Sequence, residues 1–265
     1  MTLEDIKDVL EKVDEIFPPK ECVSFKVENR PTTVFDNKIG GIPYFPKDME
    51  YPTTDAGEPL ALLAQINFNT FESIPNYPDK GILQVYIANE DCYGMNFDNN
   101  FDTNGFRIIY HENIIEDTEQ LIEAIPYEYL ELPFDREYLL TPNTPSIMYA
   151  SPHLEDFEEA FVDAYNELRE DKIEEIYDLG DEICEALYER NEHLDIWIGG
   201  YPVFTQSDPR YNQSGFDMLL FESDSVWGDD VDIMWGDSGT GTFFIKLDDL
   251  INKDFSNVLY SWDCC

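Results

Sequence analysis

Leu3, Ile6, Val9, Leu10, Val13 and Ile16 recur at intervals of three and four with charged residues between them. That spacing puts one apolar stripe on a helix over residues 2–17, with Thr2 as its cap and Pro18-Pro19 as its stop. The period then changes to two. In Cys22-Val23-Ser24-Phe25-Lys26-Val27 the alternation turns Val23, Phe25 and Val27 towards a core, as in a half-buried strand. Short strands broken by Pro, Gly, Asn and Asp follow, at 62–68, 82–88, 106–111 and 146–150, with a short helix near 118–124. Residues 154–192 return to helical spacing. Leu154, Phe157, Phe161, Tyr165 and Leu168 share one face, Ile173, Ile176, Ile183 and Leu187 suggest a second helix, and Gly180 marks a break. Strands resume at 218–222, 232–235, 242–247 and 258–262.

The same pattern occurs twice. Gly40-Gly41-Ile42-Pro43-Tyr44-Phe45 returns as Gly199-Gly200-Tyr201-Pro202-Val203-Phe204, Leu62-Leu63 as Leu219-Leu220, and the strand after Gly81 as the strand after Gly239. The offsets are nearly constant and the order is kept, which predicts repeats at about 20–112 and 193–265. Each Gly-Gly-x-Pro supplies backbone free to take positive φ, then a fixed φ that launches an extended segment. The expected fold is α+β in a single domain over 1–265: an internally duplicated, mainly antiparallel β core with an N-terminal helix and an acidic helical insertion at 154–192.

Charge changes this picture more than composition does. With 43% hydrophobic residues the chain can bury a core, but it carries 57 acids against 16 bases, a net charge of −41. No Lys/Arg cluster exists to neutralise phosphates, so neither nucleic acid nor an anionic membrane is an expected partner. The charged first residues lack the apolar run of a signal peptide, and no stretch approaches the roughly 18 apolar residues of a membrane span. Five scattered cysteines suggest neither a zinc site nor a disulfide framework. A reduced, cytoplasmic protein is expected.

Four segments together carry a resemblance: "GGIPYFPKDMEYPTTDAGEPLALLAQINF", "PDKGILQVYI", "GGYPVFTQSDPR" and "IMWGDSGTGTFFIKLDDLINKDFSNVLYSWDCC". The chain resembles the YwqG-like family of bacterial proteins from about Lys38 onward, with 154–192 as a variable insertion. The resemblance implies a mixed α/β fold with internal duplication, and it brings no established reaction or catalytic residue.

Several motifs offer chemistry. Gly236-Asp237-Ser238-Gly239 matches the surroundings of a protease serine, but the first repeat has Asp79-Lys80-Gly81 there, and both lead into an apolar strand. A turn explains both, so Ser238 is read as a turn residue. Asn100-Phe101-Asp102-Thr103-Asn104-Gly105 begins like an EF-hand loop, yet position twelve falls on His111, and a polar turn fits better. Asp224, Asp229, Asp230, Asp232 and Asp237 could converge on Mg²⁺ or Ca²⁺, although clustering is expected among so many acids. No cofactor is expected, with Ca²⁺ or Mg²⁺ the only candidates. Gln65, Gln206, Asp208, Trp235 and Asp237 could line a ligand groove between the repeats; hydrogen bonds from the glutamines to turn backbone are the plainer reading.

The insertion carries sixteen acids and three bases. Glu155, Glu159, Asp163, Glu167, Asp171 and Glu175 follow one another at four-residue spacing, as do Glu170, Glu174, Asp178 and Glu182, then Asp181, Glu185 and Glu189. On continuous helices these rows are ridges of like charge, each adjacent pair costing about 0.2–0.5 kcal/mol at low salt. A cationic surface would relieve that cost, and a solvated helical hairpin is the plainer reading. The expected function is a non-catalytic interaction or immunity-type factor that binds a basic protein through Glu155, Glu159, Asp163, Glu167, Asp171 and Glu175. The alternatives are a metal-dependent hydrolase using Asp229, Asp230, Asp232 and Asp237, or a small-molecule binder using the inter-repeat groove.

Overall fold

The computed structural model of the chain describes residues 2–211, 213, 215–228 and 230–265. In chain order its strands are β1 (Lys20–Glu28), β2 (Lys38–Ile39), β3 (Ala61–Asn67), β4 (Ile82–Ile87), β5 (Phe106–His111), β6 (Tyr138–Pro142) and β7 (Ser146–Met148). They continue as β8 (Ile196–Gly199), β9 (Met218–Asp224), β10 (Val226–Gly228), β11 (Val231–Ile233), β12 (Thr240–Ile245) and β13 (Val258–Asp263). The helices are α1 (Lys7–Ile16), α2 (Phe157–Leu168), α3 (Asp181–Tyr188) and α4 (Leu247–Ile251). No helix among the described residues is long and apolar enough to cross a membrane.

One sheet holds most of these strands, in the order β13-β12-β9-β8-β1-β6-β2-β3-β4-β5, with β7 paired to β1; β10 and β11 form a separate hairpin. Every strand pair is antiparallel. The sheet curls into a nearly closed barrel, so that Phe106 on one edge strand meets Tyr260 on the other, ring centroids 5.3 Å apart. Its interior is filled by inward residues of both halves, among them Val23, Phe25, Ile66, Val85, Phe221 and Phe243.

The two halves of the sheet match in detail. β3 and β9 each have seven residues, β4 and β12 each six, β5 and β13 each six. Leu62 opposes Tyr86 and Ala64 opposes Val85, so Leu63 is bulged out; Leu219 opposes Phe244 and Phe221 opposes Phe243, so Leu220 is bulged out. A bulge adds one residue to one strand and sharpens its bend. Both Gly-Gly pairs take the positive φ expected of them, +61° and +73° at Gly40 and Gly41, +70° and +68° at Gly199 and Gly200. A side chain at Gly199 would also strike the Glu21 carbonyl at 2.6 Å. After each pair a strap of irregular chain crosses the outer face of the sheet. Phe45 there packs with Leu62 and Tyr86, and Phe204 with Leu219 and Phe244.

The halves are crossed rather than side by side. β1, which precedes the first half in sequence, pairs with β8 of the second, while β6, which precedes the second, pairs with β2 of the first. β1 and β6 then pair with each other at the centre.

The insertion departs from the expected ridges. α2 ends at Leu168, and Arg169 is extended. Asn166 explains the stop: its side chain accepts from the Ile173 amide at 2.9 Å and donates to the Ile173 carbonyl at 2.8 Å, folding the chain back. Asp171 and Glu175 therefore lie in the connecting segment and Glu155 precedes the helix, leaving Glu159, Asp163 and Glu167 as the row on α2. Ile176–Leu179 is one 3₁₀ turn, and α3 starts only after Gly180. The predicted helix near 118–124 is likewise a single 3₁₀ turn, Thr118–Gln120. The aromatic face of α2 is buried as predicted, with Phe157 and Phe161 packed against Val9 and Val13 of α1 and Leu187 of α3.

Candidate functional site

Three adjoining cavities, of about 640, 430 and 670 Å³, run between the insertion and the second half of the sheet. The first and third share His153 and Tyr188; the first and second share Glu155, Asp208 and Tyr211. They form one cleft, with the ends of α2 and α3 on one side and the second strap on the other.

Its outer part combines acids with aromatic rings. Glu155 is exposed and makes no hydrogen bond among the described residues, whereas Glu158 accepts from the Ile176 amide at 3.1 Å. Tyr188, Phe204 and Tyr211 line the same space. Asp208 is occupied: the Arg210 guanidinium donates to both its oxygens, at 2.8 and 3.1 Å through Nε, while stacking 4.7 Å over the Phe244 ring.

At the inner end are His153, His193 and Asp224. His193 Nε2 lies 3.5 Å from Asp195 and 3.8 Å from Asp224. Burial, then the nearby His193, lowers the His153 pKa, so this imidazole favours its neutral form. Burial raises the pKa of Asp224. Trp197 lines the same cavity and pairs across the sheet with Glu222, which is fully buried.

The comparison of halves makes Glu222 the most unusual residue of the site. In the first half Gln65 holds that position. Its Oε1 accepts the Tyr44 amide of the strap at 2.8 Å, and its Nε2 donates to the carbonyls of Val34 and Asp36 at 3.0 and 2.8 Å. In the second half Glu222 Oε1 accepts the Val203 amide of the strap at 3.0 Å, but Oε2 has no partner among the described residues. Asn67, which donates to the Phe35 carbonyl, is likewise replaced by Asp224. Neutral amides that satisfy backbone in one half are carboxyl groups beside a cleft in the other. The first half has its own buried charge on β2, at the foot of the strap: Lys38 donates to the carbonyls of Thr33 and Ile42, and burial lowers its pKa to about 8.

The residues predicted to share an inter-repeat groove do not meet. Gln65 is fully buried in the first half and spent on backbone and on Gln84. Gln206 and Asp208 line the outer cleft, with Gln206 donating to the Cys264 carbonyl. Trp235 is in the barrel core and donates to Ser223 at 3.3 Å, and Asp237 is exposed in a turn where its carbonyl accepts the Cys265 amide. Ser238 occupies that turn with φ +61°. Asp102 is taken by Asn96 and the Asn104 amide, as a polar turn requires. Of the aspartates offered for a metal, Asp224 is in the cleft, Asp230 is just before β11 with φ +69°, Asp232 is on β11 and Asp237 in its turn, while Asp229 lies outside the described residues. No group of three or more candidate ligands comes together among the described residues. His153 and His193 carry no signal in the sequence beyond being two of its three histidines, and Glu222 went unnoticed although the offset between Leu62 and Leu219 already set it opposite Gln65.

Fold and site together define a mainly antiparallel, barrel-like β protein whose cleft is built by a helical segment set over one half of the sheet. Residues 37–264 match the family model described as domain of unknown function (DUF1963), and the chain belongs to that family. Comparison with curated proteins finds no match.

Proposed function

We propose that this protein is a non-catalytic interaction factor that seats a basic protein segment in the cleft. The observation that supports this best is Glu155 and Glu158 facing the same space as Tyr188, Phe204 and Tyr211. Carboxylates with ring faces nearby suit a lysine or arginine side chain, through charge and cation–π attraction together. Glu159, Asp163, Asp171 and Glu175, all exposed, extend the negative field beyond the cleft. Glu167 contributes less, since Lys12 of α1 pairs with it. An immunity-type factor that neutralises a basic toxin is the narrower form of this reading.

Three finer assignments go with it. The equal strand lengths, bulges and Gly-Gly pairs support internal duplication. The narrower family reading is the resemblance to YwqG-like proteins. Five unpaired cysteines accord with a reducing, cytoplasmic setting.

The test is calorimetric titration with an arginine-rich peptide, a glutamate-rich peptide and a small polyamine. The arginine peptide is expected to bind at low salt and weaken as salt rises. The double substitution Glu155→Gln and Glu158→Gln should weaken it by about 3- to 10-fold, the scale of two partly exposed ion pairs. No arginine-peptide binding at low salt would overturn the proposal; equal binding of the polyamine would transfer the cleft to a small cationic ligand.

A further inference from the structure

The two straps cross equivalent places on the sheet but are fastened by different chemistry. The first is held by amides. Gln65 accepts the Tyr44 amide, and Gln84 donates to the Tyr44 carbonyl at 2.6 Å. The second is held by carboxyl groups. Glu222 accepts the Val203 amide, and the Asp263 carboxylate accepts the amides of Thr205, Gln206 and Ser207 at 3.3, 2.9 and 3.4 Å. Val203, Phe204, Gln206 and Ser207 are also walls of the cleft.

We propose that the second strap is a proton-operated clasp: it stays fastened while Glu222 holds a proton, and ionisation of Glu222 releases it from the cleft. Glu222 is sealed under the strap, with one oxygen unpartnered among the described residues. An ionised carboxylate in that position forfeits hydration and gains in return only the Val203 amide and a long contact from the Thr240 hydroxyl at 3.5 Å, both on the same oxygen. The charges acting on it are unfavourable as well: Asp224 on its own strand and Asp263 on β13. His193 and Asp195 face Asp224 from the segment before β8, His153 shares their cavity, and the strap's own cation, Arg210, is taken by Asp208. Burial first, and these two negative neighbours after it, set the pKa of Glu222 well above that of an ordinary carboxyl group. Opening the strap hydrates Glu222, which then ionises at an ordinary pKa, so opening releases one proton and is favoured by rising pH.

That release alters binding in the cleft rests on the function proposed above; the clasp itself does not. Backbone hydrogen exchange of the intact protein, corrected for intrinsic rates, tests it by comparing Val203 with Tyr44. From about pH 4.5 upward, protection of Val203 should fall by up to about tenfold per pH unit relative to Tyr44. In Glu222→Gln the two amides should run parallel. Parallel profiles in the unaltered protein, or a slope that persists in Glu222→Gln, would overturn the clasp, and the first of these needs no variant to fold. Affinity for the arginine peptide should then vary with pH in the natural protein and stay flat in Glu222→Gln. A pH-invariant affinity in both would remove the regulatory role, while absence of peptide binding at every pH would remove the function and leave the clasp to the exchange data.

Discussion

His111 shows how a buried titratable side chain ties stability to pH. It sits under Tyr44 and Phe45, its Nε2 shares a 3.0 Å hydrogen bond with Gln84, and burial lowers its pKa from 6.5 to about 4. A pKa depressed on folding means that the unfolded chain takes the proton first as pH falls. Stability is complete above about pH 6.5 and is lost between there and about pH 4, by roughly 3 kcal/mol in all. Thermal unfolding of His111→Gln over that range should be flatter than that of the natural protein. A glutamine fastening one strap and a glutamate the other were legible as letters, but their roles were not. Polar residues beside apolar strands fit a groove and a backbone bond equally well. Only the strap's position shows that Gln65 serves backbone and that Glu222 is left with a spare oxygen.

Among the elements, the ion pairs that tie α1 to the insertion are unequal. Arg169 with Asp8 and Lys12 with Glu167 are solvent-exposed and screened, and contribute little. Arg190 is different. It is nearly buried, donates to Asp14 at 2.7 Å, reaches the Ala150 carbonyl and stacks over the Tyr149 ring at 4.5 Å. Arg190→Ala should cost about 3–5 kcal/mol, because it strands the Asp14 carboxylate in a half-buried site. Adding Asp14→Asn should recover part of that loss, and chemical denaturation of the single and double variants measures both. β1 was visible in the sequence through its alternation, and β3 and β4 as short apolar runs bounded by turn residues. β6 was not, because Pro142 and Pro145 read as punctuation while β1 and β2 satisfy its backbone from both sides. The charge ridge failed for a related reason: four-residue spacing persists past Leu168, but the Asn166 clamp on Ile173 ends the helix. Periodicity reports what a helix would present, whereas side-chain bonds to backbone decide whether it continues.

For the whole molecule, 57 acids and 16 bases make self-repulsion a general load on the folded state. Added sodium chloride should raise the unfolding midpoint steadily, with most of the gain complete once the screening length falls to about 8 Å near physiological ionic strength. Sucrose at matched osmolality should not reproduce that dependence, and calorimetry separates the two. Mainly antiparallel strands with a few helices were legible from alternation and recurrence. The crossing of the halves was not, since no local pattern records that β1 pairs with β8 and β6 with β2.

That crossing has a consequence for how the chain is made. β1 finds its long-range neighbours late: β6 and β7 are made only after β2 to β5, and β8 later still, after the insertion. Until then the leading half carries an open hydrogen-bonding edge, attractive to any stray strand. A copy cut between the halves would inherit that gap permanently. The two halves fold as interlocked parts, and neither is spare.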